Sequence, residues 1–142
     1  YIKFAPGTWG SLVSLFIMYI LFNILLLPMS ILLLIFVFLF FLSNYCINYF
    51  SSLTNTYDSK HIVIDELMGI FTIFLFYDFI FIYNEIITFI LIFFVFRIFD
   101  IIKFFPANYI DKNWKNGFGV ILDDIIAGLY TILTLIILNE FI

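Results

Sequence analysis

Long apolar runs broken by short polar clusters set the pattern of this chain. A helix that crosses a bilayer needs about 20 mostly apolar residues. Five segments approach that length: 12–27, 31–49, 66–82, 86–102 and 121–138. Only Pro28, Met29 and Ser30 separate the first two, which predicts a tight hairpin, and a short loop around Tyr83, Asn84 and Glu85 follows the third. The other two connections, 51–65 and 103–120, are longer and polar. The pattern predicts an all-α, polytopic membrane helix bundle of about five helices in a single domain over residues 1–142. Its third segment is short for a full crossing. No internal repeat is visible.

Basic residues orient such a bundle, because short loops rich in Lys and Arg stay in the cytoplasm. Lys3 precedes the first segment, Lys60 lies in the 51–65 connection, and Lys103, Lys112 and Lys115 lie in the 103–120 connection. Arg97, near the end of the fourth segment, can extend its head toward the same surface. The opposite loops hold Asp78 and Glu85 but no Lys or Arg. All six basic residues thus fall on one side, predicting a cytoplasmic amino terminus and an external carboxyl terminus. The chain does not begin with methionine, so residues are expected to precede Tyr1. A positively charged leader with a small-residue cleavage site is not seen, so a cleaved signal peptide is not expected.

Composition narrows the class further. Of 142 residues, 65% are hydrophobic and 11% charged, against about 45–50% and about 25% in soluble domains. A water-soluble monomer and a disordered chain are excluded. The net charge of -4 is too acidic for a surface that tracks nucleic-acid phosphates. A lone cysteine, Cys46, allows neither an internal disulfide nor a cysteine-based zinc site, and His61 is the single histidine.

The polar signals gather in four blocks, of which the last three carry charges. The first, Ala5-Pro6-Gly7-Thr8-Trp9-Gly10-Ser11, reads either as a capped helix start with an interfacial Trp or as a turn whose free amides meet a phosphate. The second runs from Asp58 through Asp65 and Glu66 to Gly69. Its adjacent carboxylates can cap a helix, but at a membrane boundary they repel unless a cation or base lies nearby. In the third, spacings of three align Arg97, Asp100 and Lys103 along one helix side. They form either a simple ion pair at a span end or a polar stripe facing a site, and the expense of charge among phenylalanines favours the stripe. The fourth, Asn116-Gly117-Phe118-Gly119 leading to Asp123 and Asp124, sets two carboxylates past an apolar stretch, with Asp111 and Lys115 in the preceding loop. Hard oxygen ligands of this kind suit Mg2+.

Taken together, Ala5-Pro6-Gly7-Thr8-Trp9-Gly10-Ser11-Leu12, Asp58…Asp65-Glu66…Gly69, Phe96-Arg97…Asp100…Lys103…Pro106 and Gly117…Gly119…Asp123-Asp124…Gly128 resemble, in order and over nearly the whole chain, the phosphatidylglycerophosphatase A family. The chain departs from the pattern at Phe104, where a proline often follows the lysine, and at Asn116, where a glycine is common. The resemblance implies a Mg2+-dependent enzyme of the bacterial cytoplasmic membrane. Its active site would face the cytoplasm, where it would remove the terminal phosphate of phosphatidylglycerophosphate to give phosphatidylglycerol. It also implies catalytic roles for Asp65, Glu66, Arg97, Asp100, Lys103, Asp123 and Asp124. The expected metal ligands are Asp58, Asp65, Glu66, Asp100, Asp123 and Asp124. Thr8, Ser11, Arg97, Lys103 and Lys115 are expected to bind substrate.

Phosphate monoester hydrolysis needs neutralised phosphoryl oxygens and an activated nucleophile. Water is the first candidate, since the chain has no Asp-x-Asp-x-Thr signature and, after five intervening residues, Cys46 is followed by Ser52 rather than by the arginine of a Cys-x5-Arg loop. Two rival classes remain. The Asp-Gly-x-x-Ala-Arg pattern of a CDP-alcohol transferase is not in the sequence. An ion carrier or assembly subunit would place its ionisable groups near mid-membrane rather than at one face.

Overall fold

In hydrocarbon a backbone N–H or C=O finds no water and must be satisfied inside its own element, so a chain this apolar resolves into helices. The computed structural model describes residues 6–54, 62–80 and 84–141, and none of these forms a strand. Helix α1 (Pro6–Tyr19) opens on a proline, whose missing N–H is no loss in a first turn. It runs on through a π-helical stretch, Ile20–Ile24. Leu26, with a left-handed φ of 47°, and Pro28 then turn the chain into α2 (Met29–Thr54). The predicted hairpin is therefore formed by residues 25–28. Helix α2 continues past the expected end at 49 because Ser43, Ile47 and Ser51 carry one buried stripe along it.

The predicted third segment is not one helix. Helix α3 (Ile64–Phe74) has 11 residues, and residues 75–76 form a turn before the single helical turn α4 (Tyr77–Ile80). The Phe76 N–H reaches back to the Ile73 carbonyl at 3.0 Å, tightening the helix until it stops. At about 16 Å, α3 covers roughly half of the hydrocarbon thickness. Glu66 and every residue from Met68 to Phe74 are buried, so α3 is the core of the bundle rather than a lipid-facing rod. It packs chiefly on α7 and α1.

Helix α5 (Glu85–Ile102) is capped by the Asn84 side chain, which accepts the Ile86 N–H at 2.8 Å. It occupies the predicted fourth segment but carries Glu85, Arg97 and Asp100. Helix α6 (Ala107–Asn113) lies in the connection that was expected to be a loop. Helix α7 (Gly117–Phe141) starts earlier than 121, so Asp123 and Asp124 sit in its second turn. Among the described residues, three helical stretches are long and apolar enough to cross a membrane: Pro6–Ile24, Met29–Thr54 and Gly117–Phe141.

Candidate active site

Two glycines set the crossing of α3 and α7. A methyl added at Gly128 would stand 2.6 Å from the Gly69 carbonyl oxygen, and one at Gly69 would stand 2.8 Å from the Asp124 carbonyl oxygen. Small residues let membrane helices approach backbone to backbone in this way. Asp65 lies one turn before Gly69, and Asp124 one turn before Gly128, on the same faces as the glycines. Bringing the glycines together therefore brings the carboxylates together. Oxygens of Asp65, Glu66 and Asp124 all lie within 4.8 Å of one another. Helix α1 forms a third wall: a methyl at Gly7 would stand 2.6 Å from Glu66 Oε1 and 3.2 Å from Arg97 Nη1, and one at Gly10 would stand 3.3 Å from Glu66 Oε2.

Two ionised carboxylates at such a separation repel by about 3 kcal/mol or more at an effective dielectric of about 20. Three together, mostly buried, call for a cation. Glu66 and Asp124 are 7% and 5% exposed. Asp65 Oδ1 accepts the Glu66 backbone N–H at 3.0 Å, satisfying an amide of the first helical turn. Among the described residues, no donor reaches the buried Glu66 Oε2 or the buried Asp123 Oδ1. Orphaned carboxylate oxygens of this kind are costly unless something positive fills the space beside them. Among the described residues the donor set is all hard oxygen, a set that fits Mg2+.

Basic groups flank the cluster, each already held by an aspartate. Arg97 Nη1 pairs with Asp100 and donates to Ser11 Oγ at 3.5 Å. Lys103 ends α5 in a left-handed conformation, φ 48°, at a position where glycine is the usual residue. That conformation costs an L-residue roughly 1–2 kcal/mol. Lys103 Nζ donates to Asp123 Oδ2 at 2.6 Å and to Asp111 Oδ1 at 2.8 Å. Burial works against this ammonium, but Asp123 and Asp111 outweigh it and hold its pKa above the ordinary lysine value, so it stays charged.

Of the six expected metal ligands, the structure brings together Asp65, Glu66 and Asp124. Asp123 and Asp124 diverge because successive helix residues point about 100° apart; Asp123 turns to Lys103. Asp100 turns to Arg97, and Asp58 lies outside the described residues, as do Ala5, Lys3, Lys60 and His61. Among the expected substrate ligands, Ser11 and Arg97 meet, and Thr8 sits half-buried in the first turns of α1 beside Gly7. Lys115 is exposed and donates to the Asp111 carbonyl oxygen at 2.7 Å, outside the carboxylate cluster. The first block is helical from Pro6, and its glycines serve the close packing on Glu66 and Arg97.

Sequence reasoning left Asp111 without a role, and only the fold of α6 presents it to Lys103. It also overlooked Asn48, whose Oδ1 accepts the Gly117 N–H at 2.9 Å. The departure at Asn116 has a local reason: its Oδ1 accepts the Gly119 N–H at 2.8 Å and caps α7.

The sequence model of a family described as phosphatidylglycerophosphatase A matches residues 1–139. A phosphatidylglycerophosphatase A from Haemophilus influenzae is 34% identical over 134 residues, covering 91% of this chain and 76% of that protein. No solved structure matches.

Proposed function

This chain belongs to the phosphatidylglycerophosphatase A family, and from that premise we propose that it removes the terminal phosphate of phosphatidylglycerophosphate with the help of Mg2+. Water is the nucleophile: its oxygen bonds to phosphorus as the ester P–O bond breaks. One water proton ends on the departing glycerol oxygen, giving phosphatidylglycerol and inorganic phosphate. The observation that carries this reading is the convergence of Asp65, Glu66 and Asp124, with an orphaned Glu66 oxygen, beside Arg97 and Lys103.

Asp65, Glu66 and Asp124 would hold the cation. When bound, it supplies Lewis-acid charge at the phosphoryl oxygens. Arg97 offers a planar fork to the phosphate, with Ser11 and Thr8 beside it on α1. Asp100 keeps that fork oriented. Lys103, kept protonated, adds fixed positive charge rather than acting as the acid. Asp123 holds Lys103 through Oδ2, which leaves its Oδ1 to take the proton that water gives up and to return it to the departing glycerol oxygen.

The same end of the bundle gathers Arg97, Lys103, Lys112 and Lys115, and the far end carries Asp78 and Glu85. By the positive-inside rule the site faces the cytoplasm of a bacterial inner membrane, with about five membrane-embedded segments. A phosphatidylglycerophosphate headgroup would meet the carboxylates there while its acyl chains stay in lipid. The test is phosphate release from this lipid in detergent micelles, with Mg2+ and then with excess chelator. Release that needs Mg2+ supports the reading; absence of release, or release indifferent to the chelator, removes it.

A further inference from the structure

Between α1 and α5 runs an apolar groove of about 300 Å3. Leu12, Leu15 and Phe16 form one wall; Ile90, Phe93 and Phe94 form the other. Its near end lies against the site, because Leu12 follows Ser11 directly and Phe93 and Phe94 stand one turn before Arg97. Its far end is closed by Tyr19 and Phe89, whose rings meet edge-on with centroids 5.7 Å apart. Tyr19 is eight residues beyond Ser11, and Phe89 eight residues before Arg97. The lining runs about 10 Å along α1 and about 8 Å along α5, and its far end lies about 12 Å from the Ser11–Arg97 pair. One leaflet of the hydrocarbon core is about 15 Å. Phe16, Ile90 and Phe94 are half or more exposed, so the groove opens sideways.

We propose that this groove seats one fatty acyl chain of the phospholipid substrate. The proposal rests on the hydrolytic reading above for the identity of that lipid. A headgroup site alone would accept any phosphomonoester of the right charge. An apolar slot that starts at the phosphate-facing pair Ser11–Arg97 and ends after one leaflet selects a ligand carrying a charged head and a hydrocarbon tail together. Apolar contact along such a slot also lowers the positional freedom of the headgroup, which raises the fraction of bound lipids correctly placed. The outer face of α2 exposes Leu34 and Phe38 just as fully, but the charged residues gathered at the site do not include any from that helix.

The test separates groove from chemistry. A phosphatidylglycerol with a diazirine in one acyl chain, which needs no turnover, is photolysed with the full-length protein in micelles and the labelled peptides are mapped. Phosphate release is measured in parallel on long-chain phosphatidylglycerophosphate and on its deacylated, water-soluble headgroup. Label is expected to concentrate on residues 12–19 and 89–94. Ile90→Trp, which fills the slot, should cut that labelling and lower kcat/KM for the long-chain lipid at least about fivefold. The deacylated compound should be turned over as by wild type, and Leu34→Trp should change neither. Label spread evenly over α2 and α7, or an equal loss on both substrates, would overturn the groove. Labelling of the groove without phosphate release from either substrate keeps the groove and overturns the hydrolytic reading.

Discussion

Under the proposed function, pairing and catalysis would make different demands on the one side chain of Arg97. Its guanidinium pairs with Asp100, reaches Ser11 and lies against the bare Cα of Gly7. A lysine could keep the pairing but would offer a point charge in place of a planar fork. Arg97→Lys is expected to lose at least about tenfold in kcat/KM, or more than about 1.4 kcal/mol of transition-state stabilisation. Phosphate release from a short-chain substrate in micelles measures it, and unchanged activity would reduce Arg97 to a partner of Asp100. Glu85 is a useful contrast: it is exposed in the first turn of α5, at the opposite end. Glu85→Gln should stay within about twofold of wild type, as surface changes usually do.

At the scale of elements, glycine spacing and side-chain caps decide where the carboxylates meet. Gly128→Ala puts a methyl 2.6 Å from the Gly69 carbonyl oxygen, so α3 and α7 must part, at an overpacking cost of about 1–3 kcal/mol. Its thermal midpoint in detergent should fall and its activity with it. Leu129→Ala, at the exposed neighbouring position, should move the midpoint far less. Asn48→Ala removes the side chain that holds the start of α7 to α2 and should cost about 1 kcal/mol in a thermal melt, as helix-capping losses do. The charged blocks were legible in the sequence because each stands against phenylalanine and isoleucine, where a charge needs a reason. The break in the predicted third segment was not legible: Phe74-Leu75-Phe76-Tyr77 contains no glycine or proline, and burial around α3 decides where it stops. Nor could spacing reveal the Lys103–Asp111 contact, since the short polar helix α6 reads as loop. Consecutive Asp123 and Asp124 likewise gave no hint of their separate partners.

For the whole molecule, the fold gathers at one end of the bundle groups that the sequence scatters from Gly7 to Asp124. The starts of α1, α3 and α7 and the finish of α5 meet there, with carboxylates inside and basic residues around them. Such a cluster is unfavourable without positive charge among its oxygens, so on the proposed reading the integrity of the site depends on the cation. The most direct measurement is phosphate release from phosphatidylglycerophosphate as Mg2+ is raised from chelated zero, in wild type and in Asp124→Asn, both first shown to be folded in detergent. The expected result is saturable activation of the wild type by Mg2+, reversible by chelator. Asp124→Asn should show a loss of at least about 10²-fold across the range, in line with removal of a preorganised charge-stabilising group. Full turnover in chelator, or a wild-type Mg2+ response in Asp124→Asn, would contradict the assignment of Asp65, Glu66 and Asp124 as the metal site.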